Sequence, residues 1–344
     1  VFGRLEWARL FSSVMAVLLA GLLVAGFLIA GCSSDDVEIA GSFEVRQVAS
    51  GLQQPTQIMM LDDGRLLAAQ LSGGENDETG SVVAVDLADG STDVWFEGLD
   101  KPTGVAVISD TVWIMERNSL SRGPVGGGTT EVVLADLAYN GRSEGTLTTR
   151  NDRSLLFNTS GRRAGNERVA GSATIWQYDP AWSGPTEFAV GIQNAYAQVV
   201  DDEGTVWSVD ISGSNADSGI PDSLVAVAAG DDLGWPQCAA AGGFPISAYG
   251  GTPELCPDER RVVRFGGGST PTSITIAPWD PDLLVVALWS LGNVVTVPRP
   301  TDSGPSDIEV LYSDFERPQH VLAVGDEVFV ADHATGTVVA IGPA

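Results

Sequence analysis

One pattern recurs six times along the chain, and that repetition limits the possible folds more than any other feature. The copies begin near Gly51, Gly98, Gly141, Gly191, Gly268 and Phe315. Each reads as a turn, a short alternating strand, an acidic or polar hairpin, a second alternating strand, and a third that ends in a turn. Most copies lie about 40 to 50 residues apart, which is the period of a small sheet that must stack on its neighbours to bury its faces. The pattern predicts an all-β, six-bladed propeller over residues 42–344. Residues 43–50 precede the first copy and can complete the last blade, which joins the two ends of the chain and removes sheet edges. A pair of β-sandwiches would leave six similar units unexplained.

The hairpins account for much of an unusual charge balance. The 344 residues include 18 Lys and Arg against 45 Asp and Glu, a net −27, with Lys101 the only lysine. The DDG, SD, ND, DEG, WDPD and GDE elements fall where a tight turn reverses the chain, so their acids are expected to serve as turn residues. A polyanion partner requires a basic face, and this composition has none to offer. Nucleic acid is therefore excluded as a partner, and an acidic, solvated monomer is expected.

Two local features concern processing and covalent structure. Arg4 and Arg9 precede an uncharged apolar run over residues 14–31, followed at once by Cys32 and SSDDVE, which reads as an export signal. The segment LIAGC, ending at Cys32, resembles the lipobox of bacterial lipoproteins. That resemblance implies a signal peptide over 1–31, lipidation of Cys32, and a linker over 32–41. The alternative is a plain transmembrane anchor, since such a run just spans a bilayer. Either reading places the remainder outside the cytoplasm, at the cell envelope. Without residues 1–31 the chain keeps 16 basic and 44 acidic residues, a net −28. Cys238 and Cys256 then remain as an isolated pair in an oxidising compartment, which points to a disulfide, with two free thiols as the alternative. They lie in the roughly 77-residue interval between the fourth and fifth copies, in an insertion at about 231–264 after the fourth blade.

The runs GLQQPTQIMMLDDGRLLAA, GIQNAYAQVVDDEGTVWSVD, DSLVAVAAGDDLGWPQC and RPQHVLAVGDEVFVAD together resemble the glucose/sorbosone dehydrogenase family. Members are six-bladed propellers that bind pyrroloquinoline quinone (PQQ) and Ca²⁺, and GDDLGWP is the most specific shared element. The resemblance implies a set of site positions, several of them altered here. The family's catalytic His falls on Arg142, whose guanidinium cannot act as a base. Tyr139 lies nearby. The cofactor-contacting Arg-Asn pair becomes Gln193 and Asn194, a lysine falls on Trp289, and of two arginines Arg317 is kept while the second becomes Gln319. Calcium positions map onto Asp222, with Asp217 in the preceding loop, so fewer oxygens remain than a hard cation wants.

The two histidines, His320 on the way into the last blade and His333 after the strand EVFVAD, have no nucleophile motif beside them. Trp95, Trp113, Trp176, Trp207 and Trp289 lie in or beside strands, where an aromatic packs between blades; Trp235 and Trp289 are the alternative candidates for stacking on a sugar ring. Arg142, Arg162 and Arg163 are candidates for an anion pocket. Two function classes follow. One is a lipid-tethered propeller that binds a carbohydrate, another small ligand or a partner without redox turnover. The other is a PQQ-dependent sugar oxidoreductase rebuilt around Tyr139, Arg142 or His320. A metal-dependent, lactonase-like hydrolase is a third possibility and would need acids converging on the axis. The lipobox reading predicts that Cys32→Ser abolishes incorporation of labelled fatty acid and moves the protein from the membrane to the soluble fraction; unchanged partitioning would refute it.

Overall fold

The computed structural model describes residues 42–73, 77–141, 144–181, 184–212, 219–239, 243–256, 262–300 and 307–344. Cys32, Arg142 and Asp217 lie outside the described residues. Six antiparallel sheets of four strands form the blades, the first five following chain order; a fifth short strand, Asp231–Asp232, adds in parallel to the third sheet, and two two-stranded ribbons lie outside the blades. The strands nearest the axis are Pro55–Met60, Gly104–Ile108, Thr148–Thr149, Ala197–Val200, Pro271–Ile276 and Pro318–Val324. Each touches the inner strand of the next blade, and the sixth touches the first, so the ring is closed. The predicted six-bladed propeller is the observed fold.

Closure uses the strand anticipated for it. Phe43–Ala49 pairs antiparallel with Thr337–Pro343, running from Phe43 opposite Pro343 to Ala49 opposite Val338. The Ala344 amide also donates to the Ser42 carbonyl at 2.8 Å. The last blade therefore takes its outer strand from the start of the domain, and the ring cannot open without breaking that ladder.

Alternation along the strands sends apolar side chains into the gaps between blades. Six separate buried clusters result, one at each interface. Trp207 and Leu224 of blade four meet Ile274 and Leu284 of blade five, for example, while Ile58 and Val83 of blade one meet Phe329 and Val338 of blade six. Trp95, Trp113 and Trp207 are buried in these seams as expected. Cys238 and Cys256 are joined in a disulfide. Their insertion leaves blade four after its third strand, Ser223–Val227, and returns to its outer strand, Val262–Arg264.

The acids fall into two populations. Asp63, Asp86, Asp89, Asp152, Asp179 and Asp280 each accept the main-chain N–H two residues ahead, the turn role expected of them. A second population, of buried acceptors that are acids except for Gln70, sits at the other end of the blades. The first residue after, or the last residue of, a blade's second strand accepts the amide of the loop entering that blade: Gln70 from Gln53, Glu116 from Asp100, Asp210 from Asn194, and Asp332 from Glu316, at 2.8 to 2.9 Å. Blade three reverses the roles, with Glu144 in the entering loop accepting from Ser160.

Inner strands are further tied across blades by side chains. The Thr56, Thr103 and Thr272 hydroxyls donate to the carbonyls of Pro102, Gly145 and Pro318 in the following blade, at 2.8 to 3.1 Å. Gln57 links three blades, since its Oε1 accepts the Val105 and Leu147 amides and its Nε2 donates to the Leu147 carbonyl. Each buried main-chain group left without a partner costs about 1–3 kcal/mol. Gln57→Ala orphans two amides and a carbonyl, so chemical denaturation should show a loss of roughly 3 kcal/mol or more; a loss below about 1 kcal/mol would show that this bridge is dispensable.

Candidate functional site

The loops entering the blades surround a cavity of about 190 Å³ at one mouth of the axis. Thr56, Thr103 and Thr272 stand at the heads of inner strands in its wall, joined by Asn194, Tyr196, Thr270, Trp289, Gln319 and His333. Its floor is crossed by a hydrogen bond from Gln319 Nε2 in blade six to Tyr196 Oη in blade four, at 2.9 Å. Leu71 and Ile211 supply apolar wall. None of these lining residues is Lys, Arg, Asp or Glu.

The threonines determine the cavity's hydrogen-bonding character. Their hydroxyl hydrogens are committed to main-chain carbonyls of the next blade, so what they offer an occupant is oxygen lone pairs. Asn194 Oδ1 accepts from Asn158 Nδ2 at 3.1 Å, which orients its amide. The Asn194 main chain is in turn held by buried Asp210. His333 follows the clamping acid Asp332; its Nδ1 lies 3.1 Å from the Pro55 carbonyl, and its amide donates to the Arg317 carbonyl at 2.9 Å. The wall is thus rich in acceptors with a few amide donors, suited to a neutral polyhydroxyl molecule.

The residues singled out in the sequence separate into several places. Asn194, Trp289 and Gln319 line the cavity together. Arg317 is exposed at its lip, with its guanidinium 4.4 Å from the centre of the Trp289 ring. Gln193 points elsewhere, its Oε1 accepting from Trp235 Nε1 at 3.2 Å. Trp235 is buried against Gly161, where any side chain would collide with the indole, so it is not an open stacking surface. Tyr139 is half-buried beneath Arg117 and does not line the cavity. Arg163 stacks on Tyr249 of the insertion at 4.0 Å.

His320 departs from its expected place on an entry loop. It lies within the inner strand Pro318–Val324, buried, and faces a second cavity of about 190 Å³ along the axis, shared with Gln57, Gln198 and Ser273. A register irregularity explains this: Pro318 lies opposite Asp332 and His320 opposite Ala331, so Gln319 is the extra residue of a bulge, turned to the mouth cavity while His320 faces the axial one. Thr56, Thr103, Thr272, Tyr196 and His333 were not anticipated. A signal existed for the threonines, because the dipeptide Pro-Thr recurs at the head of the repeats at Pro55, Pro102 and Pro271.

No protein-family model matches the chain, and no curated protein matches it significantly. Solved structures do match. A PQQ-bound aldose sugar dehydrogenase from Streptomyces coelicolor is 18% identical with a TM-score of 0.67, covering 89% of this chain and 99% of that one. A calcium structure of a Trichoderma reesei carbohydrate-active enzyme of family AA12 is 17% identical with a TM-score of 0.70, covering 90% and 97%. The soluble aldose sugar dehydrogenase from Escherichia coli, in its apo form, is 12% identical with a TM-score of 0.68, covering 88% and 100%. The likeness is one of fold.

The quinone does not fit the cavity present here. PQQ carries three carboxylates, and an anion taken from water needs cationic or multiple donor partners, whereas no Lys or Arg is among the described lining residues. The volume also falls below the roughly 300 Å³ at which pockets for larger organic ligands begin. Among the described residues no group of three or more His, Cys, Asp or Glu side chains could hold a metal ion. Asp222, a mapped calcium position, is buried and accepts the Thr270 amide at 2.9 Å.

Buried ionisable groups surround the site. Burial pushes Glu144 up to about 8 against the pull of Ser160 and Lys101. Burial also raises Asp210 to about 6, with the neighbouring charge of Asp222 adding to the rise. Burial lowers His320 to about 3. The signs differ. Glu144 is protonated in the folded state and ionised once unfolded, so its contribution falls as pH rises from about 4.5 to about 8. His320 is neutral when folded, so its contribution is lost as pH falls from 6.5 towards 3. Denaturation measured across pH should show the alkaline-side decline flattened in Glu144→Gln and the acid-side loss reduced in His320→Phe. Profiles parallel to wild type in both would refute these assignments.

Proposed function

We propose that this chain is an envelope-tethered binding propeller, which holds a carbohydrate or a similarly small polyhydroxyl molecule at the mouth of its axis without quinone-dependent turnover. The supporting observation is the cavity lining: hydroxyl oxygens already donating to main chain, two amides, an indole, and, among the described residues, no Lys, Arg, Asp or Glu. Sugar hydroxyls are donors that match such acceptors, and an indole wall suits the C–H face of a pyranose. Export and anchoring through Cys32 follow from the lipobox resemblance. The fold shared with sugar dehydrogenases is consistent with a sugar-sized ligand, and the altered positions Gln193, Trp289 and Gln319 argue against retention of the anionic cofactor.

Saturating aldoses should raise the melting temperature of the purified domain by several degrees in a panel of sugars, as mass action requires of a ligand that binds only the folded state. PQQ with Ca²⁺ should give neither a quinone-dependent shift nor sugar-dependent dye reduction. Robust reduction of the dye would establish the oxidoreductase reading instead.

A further inference from the structure

The mouth cavity is neutral, but its lip is not. In a chain so rich in acids, several of the described arginines have found a carboxylate: Arg46 pairs with Glu327, Arg65 with Asp63, Arg117 with Asp100, Arg122 with Glu131 and Arg299 with Asp201. Arg317 forms no ion pair among the described residues. Its Nη1 donates to the Glu316 carbonyl at 3.2 Å, and among the described residues its Nε and Nη2 edge meets no acceptor.

Arg317 is nonetheless held in place. Buried Asp332 accepts the amides of Glu316 and Arg317, so the main chain is pinned from below, and the charge of that carboxylate is engaged by main-chain donors. The Arg317 carbonyl receives the His333 amide, and the guanidinium lies over Trp289. His333, Trp289 and Gln319 all line the cavity, so a fixed guanidinium sits at its entrance with one two-pronged edge open. Stacking on an indole confines the plane of the fork while leaving its edge to bond.

We infer that the ligand is a sugar acid: a monosaccharide-sized polyol carrying a single carboxylate. This rests on the carbohydrate reading above and specifies it. The polyol portion meets the threonine and amide wall, and the carboxylate pairs two-pronged with the free edge of Arg317. One cation at the lip matches one anionic group, which distinguishes such a ligand from a tricarboxylate. The acidic remainder of the protein repels anions at long range, but that field is screened within about 8 Å at physiological salt, leaving the contact at the lip in control.

Titration calorimetry of the whole exported domain with D-glucose, D-gluconate and D-glucuronate tests this. At least one of the acids should bind about tenfold or more tighter than glucose, as a charge-assisted pair implies. The acid-to-glucose ratio should fall to near one in Arg317→Gln and recover only in part in Arg317→Lys, which keeps the charge but not the fork, and in wild type it should shrink as salt rises. Because Arg317 is exposed, these variants should fold, and circular dichroism checks that they do. Equal affinity for acid and neutral sugars, or a ratio insensitive to Arg317, overturns the sugar-acid inference while leaving the carbohydrate reading intact. Binding of none of the three overturns both.

Discussion

Hydrogen bonds that cross from one inner strand to the next are the interaction on which the rest of this structure depends. An inner strand of a propeller has one edge paired within its own blade and the other facing the axis, where main-chain groups must find partners or be left buried and unsatisfied. Here the threonines at the strand heads and Gln57 supply those partners from the neighbouring blade. The same bonds orient the hydroxyls so that lone pairs rather than hydrogens face the cavity. Satisfaction of the backbone and the chemistry of the site are thus set by one group of side chains.

A second layer of control comes from the buried acceptors at the ends of the second strands. By binding the amides of the entry loops, Asp210 and Asp332 fix the positions from which Asn194, Arg317 and His333 project. Burying such carboxylates is costly, and the upward displacement of Asp210 and Glu144 shows that burial outweighs the hydrogen bonds they accept. The acids of this chain therefore differ in kind. Those in the exposed hairpins satisfy local turns and keep the surface charged, whereas those near the axis position the loops that carry the site.

Much of the fold was legible in the sequence. Repeats with period-two alternation lead to blades, and the lone strand at residues 43–50 has no partner other than the last blade. The isolated cysteines also pair as their count suggested. The site was legible only in part. Asn194, Trp289 and Gln319 were reached through a family resemblance and do converge, but Gln193, one residue from Asn194, turns away to Trp235. His320 went to the axial cavity rather than an entry loop, because the inner strand begins at Pro318 and its register shifts at Gln319, an irregularity that no repeat pattern announces.

Taken alone, the sequence determined the number of blades, the closing strand, the turn role of the hairpin acids and the scarcity of cations, because each is a matter of local periodicity, turn chemistry or counting. Only the tertiary structure decided which side chains meet at the axis. Tyr196 and Gln319 are 123 residues apart along the chain, and Thr56 reaches a carbonyl 46 residues away, so no local pattern encodes either contact. The closed ring brings the heads of six inner strands to one point. There a one-residue shift of register, seen at Pro55/Gln57, Pro271/Ser273 and Pro318/His320, decides which polar side chain faces the mouth and which the axis.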